Sequence, residues 1–596
     1  MRSGRLAFWL IALLCGLATP AFAACTLAKI AELPVDMAGT RPLVAAKING
    51  VEVKFLADSG AAYSMITPAA AAQLNLKRHS AFGITLRGVG GDVTPSAATV
   101  DKLTLAGADI PRVEFLVGGG EPGAGAVGLF GQNVLGLADA QYDLANGVIR
   151  LIQPIDCGGG ALAYWAGSTP FSAIDIHPPA NEPTLARLTS VATGVAFVDG
   201  RKIRVLFDTG ASVSTLSLKA AADIGITPTG AGVSSAGLSG GIGRHMVSSW
   251  IAPIASFKVG DEEIKNTKLM IGSLGLDDVD MLLGADFFLS HRVYVANRQH
   301  RLYFTYNGGP VFRLGADTLV QATKDQTPRA SPIVADDKAT PTDAEGFARR
   351  AAALAGRRDF DQALDDLNHA IALAPKQASY YDARGVVYLE KHRPLMAMHD
   401  FDAALALKPD DVRALLRRAE LRIALHNQAG AKADLQAASA SAPKEADLRL
   451  ALAEAYLKLG LTAEAIGEFD LWIPAHPDDS RQPWALGGRC MARGVANLEL
   501  EKAFKDCAAA VRMDGKSASI LDARALLFLR QDQFDKSIAD FNAALAVEPN
   551  SAWSLYGRGV AKTKSGQAAE GKADIAAATT IRPSILDEAK RDGLTP

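Results

Sequence analysis

Val205-Leu206-Phe207-Asp208-Thr209-Gly210-Ala211 is an apolar run that ends on a carboxylate, a hydroxyl and a glycine. A second version of it stands at Phe55-Leu56-Ala57-Asp58-Ser59-Gly60-Ala61. Each describes a buried strand running into a tight turn, because Asp bonds nearby backbone amides and Gly supplies permissive dihedrals. One such turn is ordinary local chemistry. Here the surroundings repeat as well.

The two copies lie 150 residues apart and their neighbours keep that offset. Asn49-Gly50 and Asp199-Gly200 precede them as two-residue hairpin turns. Ala61, Ser64, Leu74 and Leu76 answer Ala211, Ser214, Ile224 and Ile226, and Gly90-Gly91 answer Gly240-Gly241. After a short slip, Leu103 to Gly107 matches Phe257 to Gly260, and Leu129-Phe130-Gly131 matches Leu282-Leu283-Gly284. The pattern ends with Tyr142 to Leu151 against Tyr294 to Tyr303. A domain has been duplicated. Short β-rich runs bounded by turn residues, such as Val44–Ile48, Val51–Phe55 and Val113–Val117, predict strands, and Thr67-Pro68 predicts the start of a short helix through Leu74.

Asp-Ser/Thr-Gly-Ala after an apolar strand, then a glycine-rich hairpin, then two apolar residues and Gly, resembles the retropepsin-like aspartic peptidases. Two such units in one chain are similar to the two lobes of pepsin-like enzymes. The resemblance implies an all-β bilobal fold over residues 24–166 and 167–306, with Asp58 and Asp208 as catalytic residues meeting at the lobe interface. It further implies that Ser59 and Thr209 bond across that interface, and that Gly60 and Gly210 let backbone amides approach the carboxylates. Gly131 and Gly284 would end the strand beneath each turn. Gly88, Gly90 and Gly91 would form one flap tip, and Gly237, Gly240 and Gly241 the other. Ala61 and Ala211 depart from pepsin-like enzymes, which carry Ser or Thr there. Without that hydroxyl the outer carboxylate oxygen loses a stabilising donor, so the dyad should titrate higher.

The 596-residue chain is too long for one core. A net charge of -2 points to no nucleic-acid partner. Arg2 and Arg5, an apolar run from Leu6 to Leu17, and Ala21-Phe22-Ala23 read as a secretory signal peptide over residues 1–23, so a bacterial periplasmic or secreted location is expected. The run is short for a transmembrane span. Lipid attachment at Cys25 is the lesser reading, because Phe22 fits that motif poorly. Export leaves Cys25, Cys157, Cys490 and Cys507, which allow three pairings. Cys25–Cys157 and Cys490–Cys507 are favoured, the first tying the ends of lobe 1 and the second joining adjacent helices. Free buried thiols are the alternative. No Cys-x-x-Cys pair or His cluster suggests a metal, and no cofactor is expected.

Residues 307–342 are polar and aperiodic, as in a linker. From 343 to 596 the chain reads as all-α. Pro375, Pro409, Pro443 and Pro477 are spaced by 34 residues, and Pro549 and Pro583 resume that spacing. Ala351, Gly385, Ala419, Ala453, Ala525 and Gly559 recur in phase, as do Ala363, Ala397, Ala431, Ala465 and Ala503, with Phe401, Phe469 and Phe541 in another register. This resembles a tetratricopeptide-repeat solenoid of about seven units, whose groove implies a protein partner. The expected function is an exported aspartic endopeptidase acting on a protein or peptide substrate. The alternative is a binding scaffold built on inactive peptidase-like lobes.

Overall fold

The computed structural model describes residues 25–176, 191–312 and 341–596. The signal segment 1–23 and most of the expected linker (313–340) lie outside the described residues.

Each β unit is built on one hairpin. In the first, Arg41–Ile48 pairs antiparallel with Val51–Ala57, and in the second Thr193–Val198 pairs with Arg201–Phe207. Asn49 and Gly50 both take positive φ (50° and 88°), as do Asp199 and Gly200 (48° and 79°), the geometry whose twist suits a two-residue hairpin. Alternation sends Val44, Ala46, Ile48 and Phe55 into the core, where Phe55 stacks on Phe130 at 4.1 Å. The chain later returns beneath each hairpin in parallel. Gly128–Phe130 runs beside Phe55–Ala57, and Met281–Leu283 beside Val205–Phe207. A short helix, Pro68–Gln73, follows the first turn, with the Thr67 hydroxyl capping Ala70 N–H.

The units are joined by a sheet to which both contribute. Asp139–Asp143 of the first pairs with His291–Ala296 of the second, Gln141 facing Tyr294. The Arg292 guanidinium reaches the fully buried Asp143 carboxylate across this seam, and the Tyr294 hydroxyl donates to Asp139 at 3.1 Å. Cys25 and Cys157 form a disulfide where Thr26–Ala38 meets Val148–Ile155.

Residues 307–312, expected to begin the linker, instead pack on the second unit. Phe312 is buried with its ring 5.2 Å from Phe257. Val311-Phe312 is an apolar pair inside a polar stretch, and burial of two such side chains outweighs the composition around them.

The C-terminal region is a stack of seven helix pairs, Ala344–Gly356 with Phe360–Leu373 through Ala552–Lys564 with Ala568–Ile581, closed by Ile585–Arg591. The in-phase alanines mark the closest crossings, with Ala363, Ala397, Ala431, Ala465 and Ala503 all fully buried. Gly385 lies so tightly under the Phe401 ring that a Cβ there would stand 2.7 Å from it. Within repeats, a bidentate ion pair links the two helices. Arg350–Asp366, Arg384–Asp400, Arg418–Asp434, Arg524–Asp540 and Arg558–Asp574 are each 16 residues apart, with bonds of 2.6–3.0 Å. Cys490 and Cys507 join the helices of the fifth pair. Repeat solenoids usually bury each unit only against its neighbours. This array also lies against the β units, with Gly356 beside Gly39 and Arg413 beside Gly125.

Asp434 is nearly inaccessible and holds both Arg418 and Arg422. Asp434→Ala strands buried charge and should lower the array's stability by about 3 kcal/mol in denaturant melts. Replacing Asp434 and Arg418 together by Leu and Met should cost clearly less.

Candidate active site

The parallel return strand fixes where each key turn begins. Asp58 N–H donates to Phe130 O and Asp208 N–H to Leu283 O, both at 2.9 Å. Each Asp then folds back on its own turn. Asp58 Oδ1 accepts from Gly60 N–H and Ala61 N–H at 2.9 Å, and Asp208 Oδ1 accepts from Gly210 N–H at 2.9 Å and Ala211 N–H at 3.3 Å.

The turns are braced against each other. Thr209 Oγ1 accepts from Ser59 N–H at 3.0 Å and donates to Ala57 O at 2.7 Å. Reciprocally, Ser59 Oγ accepts from Thr209 N–H at 2.9 Å and donates to Phe207 O at 2.8 Å. Both side chains are almost wholly buried, so none of these four bonds competes with solvent. The bracing sets each carboxyl over the opposite glycine. A Cβ on Gly60 would stand 2.4 Å from Asp208 Cγ, and one on Gly210 would stand 2.4 Å from Asp58 Cγ. Only glycine admits this approach.

The two carboxyl groups are consequently brought close enough for each to shift the other's titration. Burial raises the pKa of both, and the neighbouring Asp208 carboxylate raises Asp58 further. Amide donors from Gly60, Ala61, Gly210 and Ala211 oppose the rise without cancelling it. The shared proton belongs to the pair rather than to either Asp. Chemically, the pair can accept a proton and donate one at adjacent positions at the same pH.

Gly131 and Gly284 pass directly under the turns, where a Cβ would meet Ala61 O or Ala211 O at 2.7 Å. Residues not anticipated from the sequence complete this layer. Ser64 Oγ accepts from Gly131 N–H and donates to Asn133, while Ser214 Oγ accepts from Gly284 N–H and donates to Asp286. Burial pushes the Asp286 carboxyl up to about 6. The signal for Asn133 and Asp286 is their shared place two residues after the supporting glycine. Gln132, whose side-chain amide donates to Ser59 O at 2.8 Å, has no such signal, because its counterpart is Ala285.

Gly88, Gly90 and Gly91 form the tip of the hairpin Leu86–Gly88 and Gly91–Val93. Gly240 and Gly241 begin the loop between Ser234–Ser239 and Val247–Val259, but Gly237 does not reach it. Gly237 lies inside the strand at a bulge, because the loop runs on to Met246 rather than closing at the glycine pair. The two tips touch. Gly243 N–H donates to Val89 O at 3.0 Å and His245 N–H to Gly90 O at 3.1 Å, while Val89 packs in one apolar cluster with Ala211.

A native carboxyl with a raised pKa binds its proton more tightly than the unfolded chain does. Its favourable contribution is therefore present at low pH and is lost as pH rises through the native value. Asp58→Asn cannot ionise, so it should flatten this loss. The variant should match the wild type near pH 4 and exceed its stability by about 1–3 kcal/mol at pH 8 in paired denaturant melts.

Comparison with known proteins follows the same division of the chain. Residues 44–134 and 195–287 match the aspartyl protease family model, and residues 426–490 and 523–583 match two tetratricopeptide-repeat models. No curated protein matches. Among solved structures, a tetratricopeptide repeat protein from Parabacteroides merdae ATCC 43184 is 15% identical, over 42% of this chain and 98% of its own, with a TM-score of 0.33. YrrB, described as a TPR protein with an unusual peptide-binding site, is 17% identical over 32% of this chain and 95% of its own (TM-score 0.28). Pseudomonas aeruginosa pilF is 18% identical over 35% and 94% respectively (TM-score 0.29). The chain carries a retropepsin-like aspartyl protease domain in two matched segments, followed by a tetratricopeptide-repeat array.

Proposed function

We propose that this protein is an exported aspartic endopeptidase, active as a single chain, with a repeat array that contacts protein. The observation that carries the reading is the placement of the Asp58 and Asp208 carboxyls over each other's glycine turn, held by the reciprocal Ser59 and Thr209 bonds. An inert pair of buried acids would be costly to keep, whereas two carboxyls sharing a proton suit peptide hydrolysis.

In this mechanism a water bridges the carboxyls. The ionised carboxyl takes a proton from the water as its oxygen bonds to the scissile carbonyl carbon. The protonated carboxyl gives its proton to the carbonyl oxygen, so no free oxyanion forms. Collapse of the resulting diol breaks the C–N bond: the proton taken from the water passes to the leaving nitrogen, and a diol hydroxyl returns its proton to the carboxyl that gave one. The alanines at 61 and 211 offer no hydroxyl to the carboxyls, and burial raises both pKa values. The singly protonated window therefore lies above that of a solvated pair.

Export is supported by the residues 1–23 pattern and by the Cys25–Cys157 and Cys490–Cys507 pairings, which suit an oxidising compartment such as the periplasm. Protein partners are supported by the repeat-family matches.

Asp58→Asn and Asp208→Asn should each lower cleavage of a denatured protein by about 1,000-fold or more. Undiminished turnover in either would reject the mechanism. The wild-type pH–rate profile should peak at mildly acidic to near-neutral pH, and a maximum at strongly acid pH would contradict a dyad whose carboxyls both titrate high.

A further inference from the structure

The turn between helices Thr462–Ala475 and Gln482–Ala496 of the array packs against the β units, burying His476, Asp479 and Ser480. It enters the gap between the second flap loop and the first unit's loop at residues 118–125. Asp478 ion-pairs with Arg244 of the flap, and Ser480 Oγ donates to Met246 Sδ at 3.2 Å and lies against Gly240. On the other side, Asp479 Oδ2 accepts from Glu121 N–H at 3.1 Å, and His476 Nε2 stands 3.5 Å from Glu121 Oε1. His476, Asp479 and the Glu121 side chain are all buried by this contact.

The turn is stiff. Arg481 binds Asp479 at 2.8 Å and Asp447 of the preceding repeat at 2.6 Å, and its guanidinium lies 5.3 Å from the Trp472 ring centre. One rigid corner therefore grips two parts of the β units that belong to opposite lobes.

The gripped flap loop is also the one that closes on the first flap. The flap tips are joined through Gly243 to Val89 and His245 to Gly90, and Ile242 of the same loop packs on Gly119. Gly243 approaches Gly90 so closely that a Cβ would fall 2.0 Å from its carbonyl carbon. The corner contacts Arg244 and Met246, which bracket His245, one of the two tip donors.

We propose that the array corner at residues 476–481 is an intramolecular latch. By bridging the second flap loop to the 118–125 loop it holds the flaps shut, and its release admits substrate. The repeats thus act on the chain's own catalytic cleft, in addition to any partner they take. The effect on cleavage rests on the peptidase reading, whereas the effect on the flaps does not.

The test is hydrogen–deuterium exchange on the full-length mature protein, comparing wild type with Asp478→Ala/Ser480→Ala and, from the flap side, Arg244→Gln. Peptides spanning residues 86–93 and 238–248 should exchange about 10-fold faster in the double variant and faster in Arg244→Gln, with peptides from the helix pairs unchanged. Cleavage of a denatured protein should rise with flap exchange. Unchanged flap exchange in both variants overturns the proposal. Faster exchange with slower cleavage also overturns it, because the corner would then be part of the working site. Faster exchange where no protein, wild type included, cleaves anything keeps the latch and removes the peptidase reading.

Discussion

Two hydroxyls set the geometry of this molecule. Ser59 and Thr209 each accept the other's backbone N–H and donate to a carbonyl of the opposite strand, so every bond made by one turn is returned by the other. Buried donors and acceptors left without partners are expensive. The two turns are therefore committed to each other, and the hairpins, return strands and shared sheet hold the remaining degrees of freedom. The carboxyl pair is a consequence. With the turns locked and glycine at 60 and 210, each Asp can only lie over the other lobe's glycine.

Near-symmetry of the frame makes its small departures informative. Beneath each turn a serine, a glycine amide and an acceptor form the same three-part support, but the acceptor is the neutral Asn133 on one side and Asp286 on the other. Gln132 buttresses Ser59 O, and nothing equivalent stands at Ala285. The two aspartates thus sit in similar cages with different electrostatics. The titration steps of such a coupled pair belong to both groups together.

Much of this is legible from residue order alone. The repeated Asp-Ser/Thr-Gly-Ala turns, the Asx-Gly hairpins and the supporting glycines keep their spacing, and local rules fix such turns strongly. The 34-residue proline period likewise announces the array, because each unit repeats one crossing of small residues. Contacts between segments far apart in sequence are what residue order hides. The extended flap loop reads as a tight glycine tip, the Val311-Phe312 anchor is masked by a polar stretch, and the docking of the array on the lobes leaves no periodic trace. Asp478 and Arg244 are 234 residues apart, and no local pattern links them.

The chemistry proposed for this site depends on a proton shared between Asp58 and Asp208. Selective 13C labelling of aspartate carboxyls, with Asp58→Asn and Asp208→Asn for assignment, would follow the pair directly through a pH titration. Two coupled steps are predicted, both above the ordinary aspartate range. Two independent titrations at ordinary aspartate values would mean that the carboxyls do not share a proton, and the chemistry derived from their contact would fall.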